Sequence, residues 1–139
     1  MTLSIRNQLP GTVTEVDAGE VMATVRIQLD GGQNLVAAIT LEAVEQLGLA
    51  PGSAVRALVK STEVSLATSR IQGLSIRNQL PGAITRIGLG GVMASVRIAV
   101  AGGEITAVIT KEAATDLGLF VGSDAIALIK ATEVALATA

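Results

Sequence analysis

The chain has 139 residues, half of them hydrophobic, with a formal net charge of −2 and a sequence pI near 5.0. It contains no cysteine and no histidine, which excludes disulfides, a thiolate metal centre, a cysteine nucleophile and the usual general base at neutral pH. A single Phe, no Trp, no Tyr and an acidic balance argue against a nucleic-acid binder, which stacks bases on aromatic side chains along a basic groove.

The first predicted element is the phrase LSIRNQLPG at 3–11, read as a Ser-x-Arg-Asn turn ahead of the strands. It returns letter for letter at 74–82. Val21, Ala23, Val25, Ile27 and Leu29 alternate with polar residues, so a half-buried strand is expected with those five pointing inward. Asp30-Gly31-Gly32 predicts a hairpin turn and Leu35 to Ile39 the returning strand. The period then changes. Thr40 is placed to cap a short helix that stops at Gly48. Pro51-Gly52-Ser53 turns the chain into two more strands, Ala54 to Val59 and Val64 to Ala67, with Lys60-Ser61-Thr62-Glu63 between them.

The whole pattern repeats. VMATVRI at 21–27 becomes VMASVRI at 92–98, offset by 71, and LGLAPGSAVRALVKSTEVSLAT at 47–68 becomes LGLFVGSDAIALIKATEVALAT at 117–138, offset by 70. One residue has been lost where QNLVAAIT faces EITAVIT, a change that suits a turn or strand end. The predicted organisation is two modules, 1–69 and 70–139, joined at Ser69 to Gly73. The predicted fold class is all-β with one short helix per module: two OB-fold-like five-stranded barrels in tandem. Modules this small need packing on each other, or on further chains, for stability. No apolar run approaches the ~18 residues of a membrane span, and MTLSIRNQLPG does not read as a signal peptide, so a cytoplasmic location without membrane contact is expected.

Of the ten Lys and Arg residues, three pairs match between copies: Arg6 with Arg77, Arg26 with Arg97, and Lys60 with Lys130. Arg26 and Arg97 fall on the polar face of a strand and read as solvated. Arg6 and Lys60 lie at element edges beside the hydroxyls of Ser4 and Ser61, and Thr40 adds a hydroxyl and the N–H groups of a helix start. Ser75, Arg77, Thr110 and Lys130 repeat the set. All are donors, which suits a fully deprotonated tetrahedral dianion. The same residues also fit a purely structural account, with Ser4 and Thr40 as turn and cap residues and Lys60 lying along the surface, and spacing alone favours it. Glu42, Glu112, Glu63 and Glu133 read as surface charge, so no enzyme is expected.

Ser-x-Arg-Asn-x-x-x-Gly, Ile-Thr opening a short helix, and Lys-Ser/Ala-Thr-Glu-Val near the end of each module together resemble the Mop domains of molbindins. The resemblance covers nearly the whole chain. It implies a di-domain protein that binds, stores and buffers molybdate or tungstate as a ligand, without a cofactor, at interfaces between barrels of a homo-oligomer, a trimer with six barrels. It further implies that Ser4 and Arg6 of one barrel meet Thr40, Lys60 and Ser61 of a neighbour. Ser75 and Arg77 would meet Thr110 and Lys130 likewise, with Ala131 in the place of Ser61. That substitution removes a hydroxyl and leaves a backbone N–H, so sites on the Lys130 side are expected to bind more weakly. An oxyanion-sensing module of a transporter or transcription system is the alternative, although no helix-turn-helix and no phosphate-binding loop of the Walker type is present.

Overall fold

The computed structural model describes residues 2–139. The first repeat forms β1 (Asn7–Ala18), β2 (Met22–Leu29), β3 (Asn34–Thr40), α1 (Leu41–Leu47), β4 (Ala54–Val59), a 3-10 turn (Ser61–Glu63) and β5 (Ser65–Ala67). The second forms β6 (Asn78–Leu89), β7 (Met93–Val100), β8 (Gly103–Thr110), α2 (Lys111–Asp116), β9 (Asp124–Ile129), a 3-10 turn (Ala131–Glu133) and β10 (Ala135–Thr138).

The opening phrase is not a turn. Asn7 to Gly11 begins β1, a twelve-residue strand that pairs with β4 over Asn7 to Thr12 and with β2 over Gly11 to Ala18. A register shift between Val13 and Glu15 bends it between its two partners. Pro10 is tolerated because pairing with β2 only begins at the next residue, and its carbonyl still accepts the Asp30 N–H at 3.1 Å. Gly11 is required by closeness: a Cβ there would stand 2.7 Å from Gln28 O and from Ile27 Cγ2.

The alternation in β2 holds from Ala23 to Leu29, all four inward residues being buried. Val21 does not belong to that set. The Gly19 N–H bonds to Met22 O and the Val21 carbonyl accepts the Leu41 N–H, so Val21 lies ahead of the ladder and is 73% exposed. Val92 repeats this arrangement. The helix cap is as expected: Thr40 Oγ1 accepts the Ala43 N–H at 3.1 Å, and Gly48 ends α1 at a φ of 63°.

There are two five-stranded curled sheets, but they do not coincide with the two repeats. The first runs β10-β4-β1-β2-β3 and the second β5-β9-β6-β7-β8. Each repeat therefore lends its last strand to the other: Ala135 to Thr138 pair with Leu58 to Val55, and Ser65 to Ala67 with Leu128 to Ile126. The expectation that Val64 to Ala67 closes its own barrel is corrected accordingly. The 3-10 turns cross over with their strands, Ser61–Glu63 packing on β8 and Ala131–Glu133 on β3.

Two buried side chains lock this exchange. Asn7 and Asn78 are each 3% exposed. Asn7 receives the Thr106 N–H and donates to the Thr106 carbonyl, both at 2.8 Å, and Asn78 does the same to Val36. Each amide thus mimics one more residue of backbone against the partner sheet, satisfying buried groups that would otherwise be orphaned. The apolar interior is correspondingly one cluster, from Leu9, Val25 and Ile27 to Ile84, Ile98 and Ile129.

Candidate functional site

The antiparallel register sets the candidate cations side by side. Asn7 pairs with Val59, so Arg6 and Lys60 emerge at adjacent strand ends of one sheet; Asn78 pairs with Ile129, which does the same for Arg77 and Lys130. All four are exposed, and among the described residues none has a carboxylate within ion-pair distance. Each module thus sets its own Arg and Lys at neighbouring strand ends. Buried Asn7 and Val59, and Asn78 and Ile129, fix the backbone beneath each pair.

Arg26 and Arg97 are different. Arg26 Nε lies 3.5 Å from Glu15 and Arg97 Nε 3.4 Å from Glu104, both on the exposed sheet face. That is the solvated role expected of them, and such surface pairs contribute little to stability.

Ser4 and Arg6 share a surface depression of about 490 Å³ with Thr2 and Gln8. Ser61 is half-buried and opens its 3-10 turn, as Ala131 does in the second repeat. Opening residues of such a turn have backbone N–H groups without an intrahelical acceptor, so both positions keep a backbone donor while only Ser61 adds a hydroxyl. Ser75 is exposed two residues ahead of Arg77.

Thr40 and Thr110 end β3 and β8. Thr40 is four residues along β3 from Val36, the residue clamped by Asn78, a separation of about 13 Å at strand rise. Thr110 holds the same position relative to Thr106. Their capping bonds use an oxygen lone pair, which leaves each hydroxyl hydrogen free to donate. The expected open N–H groups are partly spent: the Leu41 and Lys111 N–H groups bond to Val21 O and Val92 O, and the Ala43 and Ala113 N–H groups to the caps.

Sequence reasoning missed Asn7 and Asn78 as structural clamps; their retention in both copies was the available signal. It also passed over Gln79, whose amide makes two 2.9 Å bonds to the Ile71 backbone and ties down the joint.

A TOBE domain model matches twice, over 3–66 and 74–136. The chain belongs to the TOBE domain family. Its two TOBE modules superpose on a solved structure described as the cytoplasmic molybdate-binding protein ModG with molybdate bound, at a TM-score of 0.96, 45% identity and full coverage of both chains. It is 41% identical over 138 residues to the molybdenum transport protein ModE of Azotobacter vinelandii, and 41% identical over 139 residues to the molybdenum-pterin-binding protein MopA of Rhodobacter capsulatus. In each case the match takes in 99% of this chain. The TOBE pair spans about half the length of these curated relatives. Among the described residues no helix is long and apolar enough to cross a membrane, and no cluster of acidic side chains suits a metal ion.

Proposed function

We propose that this chain binds and buffers molybdate, or the similar tungstate, holding the oxyanion by hydrogen bonds to its oxo groups and without transforming it. The observation that carries this reading is the pairing of Arg6 with Lys60, and of Arg77 with Lys130, at strand ends with no carboxylate in ion-pair range among the described residues. Two cations with adjacent hydroxyl and backbone donors favour a dianion that brings no proton of its own. Similarity to a molybdate-bound protein across the full length supports the choice of ligand. Ser4, Ser61, Ser75 and the Ala131 N–H complete the donor sets.

Thr40 and Thr110 join these sets from a neighbouring chain. Supporting this, Val21 and Val92 are 73% and 74% exposed beside the two helix starts, with Met22 and Met93 next to them. Solvent-facing apolar groups repeated at one place in both modules suit burial against further copies, and a homotrimer of six modules is the assembly proposed. A cytoplasmic location follows the description of the similar ModG.

Titration calorimetry with molybdate, tungstate and sulfate tests the reading. Saturable binding of the first two, with sulfate weaker because its shorter bonds reach fewer donors, is expected. Absence of molybdate binding up to millimolar concentration would sink it.

A second reading is favoured by length: several curated relatives are about twice as long, and one is named a transcriptional regulator. On that reading the TOBE pair senses the oxyanion for a larger system, and it should co-purify with DNA or a transporter component.

A further inference from the structure

β1 and β6 each leave half of one edge without a strand partner. β4 covers β1 only as far as Thr12, and β9 covers β6 only as far as Ala83. Val13 and Ile84 still bond to the turns that precede those strands. Beyond them, among the described residues, no strand pairs with the outer edge of Thr14 to Ala18 or of Thr85 to Leu89. The hairpin bonds decide which backbone groups are left over. The Gly19 N–H bonds to Met22 O, so Glu15 and Asp17 turn their backbone toward β2 while Val16 and Ala18 turn theirs outward. The Gly90 N–H bonds to Met93 O, and Ile87 and Leu89 are outward in the same way. An open edge of this kind is a template for another strand.

The two edges carry opposite charge. Thr14-Glu15-Val16-Asp17-Ala18 is acidic, whereas Thr85-Arg86-Ile87-Gly88-Leu89 holds one Arg and no acid. Glu15 is already paired with Arg26, but Asp17 has no cation in ion-pair range and Arg86 no carboxylate, among the described residues. Asp17 and Arg86 are exposed, and Val16 and Ile87 are half-buried against the core. Like edges match poorly. Two β1 edges, antiparallel about Val16, set Glu15 against Asp17, which repel. Two β6 edges about Ile87 set Arg86 against Gly88 and gain no ion pair.

Unlike edges match well. With Val16 opposite Ile87, both strands offer their outward backbone groups at the same rungs. Asp17 then falls opposite Arg86, and Leu89, 64% exposed, stands diagonal to Val16. Within one chain β1 and β6 lie in separate sheets and do not pair. We propose that the outer edge of β1 in one chain pairs antiparallel with the outer edge of β6 in a second copy, with Asp17 on Arg86 fixing direction and register. The contact is heterologous, so each chain keeps its other edge for a third copy, and such contacts close into a ring. This rests on the homotrimer reading and supplies the joint between its chains.

Sedimentation velocity over a range of concentrations tests this on the intact protein. Arg86→Glu and Asp17→Arg each set like charges across the joint. Each should raise the concentration at which half the chains are assembled by at least about tenfold, toward the 14.0 kDa species of a single chain. The two changes combined restore the pair with its sign reversed and should restore assembly. Ile87→Pro removes an N–H that only a partner strand would use, so it should dissociate the chains while leaving the circular dichroism spectrum unchanged. Single charge variants that assemble like the wild type, a double variant no better than the singles, or an intact Ile87→Pro trimer each overturn the proposal. A wild type that stays monomeric overturns the homotrimer reading as well, whereas a trimer indifferent to these substitutions overturns this joint alone.

Discussion

Asn7 and Thr106 are 99 positions apart and exchange two hydrogen bonds of 2.8 Å, side chain to backbone in both directions. Because Asn7 also pairs with Val59 in its own sheet, it fixes the second sheet's β8 directly beneath the Arg6 and Lys60 strand ends. Stability and site geometry therefore depend on one amide. Asn7→Ala should destabilise the protein by about 2–3 kcal/mol, since it strands both an N–H and a carbonyl. Asn7→Asp should be no better, because it keeps the acceptor but loses the donor. Urea denaturation of the three proteins checks this; an unchanged midpoint for the alanine variant would refute the clamp.

Deleting residues 135–139 removes β10, which pairs with β4 and not with its neighbour in the chain, β9. Amide exchange should accelerate at Val55 to Leu58, in the other repeat, while Ala125 to Ile129 stay protected. Loss of protection confined to the second repeat would contradict the strand exchange.

Lys60→Gln should alter the stability of the ligand-free protein by no more than about 0.5 kcal/mol, as an exposed side chain without an ionic partner contributes little. It should nevertheless remove most of the melting-temperature rise on adding molybdate. A ligand binding only the folded form stabilises by about 2.7 kcal/mol at a hundredfold excess over its dissociation constant. Parallel thermal melts with and without molybdate separate the two effects, and a full ligand shift in the variant would remove Lys60 from the site.

Ser61→Ala converts the first module's turn to the sequence of the second, and Ala131→Ser does the reverse. If the hydroxyl donates to the anion, the first change should weaken binding at its sites by about tenfold and the second should strengthen it comparably. Calorimetric titration of both variants measures this. Equal affinities across wild type and variants would mean that the backbone N–H alone suffices.

Strands, turns and caps were legible in the sequence because each is set by local physics: alternation in β2, Gly48 in the left-handed region, Thr40 at a helix start. The exchange of β5 and β10 was not. STEVSLAT and ATEVALAT are so alike that either strand fits either sheet, and the alternating pattern says nothing about which. The identity of the candidate cations was legible as retention between copies, but their adjacency depends on Asn7 pairing with Val59, a register that no local pattern specifies. Pro10 and Gly11 misled for a related reason. They read as a turn, yet they sit inside β1 because one partner begins where Pro10 ends and the other approaches too closely for any side chain at position 11.

Residues 68–73 are all exposed, and they form the only stretch of backbone joining one repeat to the next. A protease that nicks there would break the covalent thread without freeing either half, since each half still supplies the final strand of the other's sheet. The severed protein should migrate as a whole on gel filtration and fall into two fragments only when a denaturant is added.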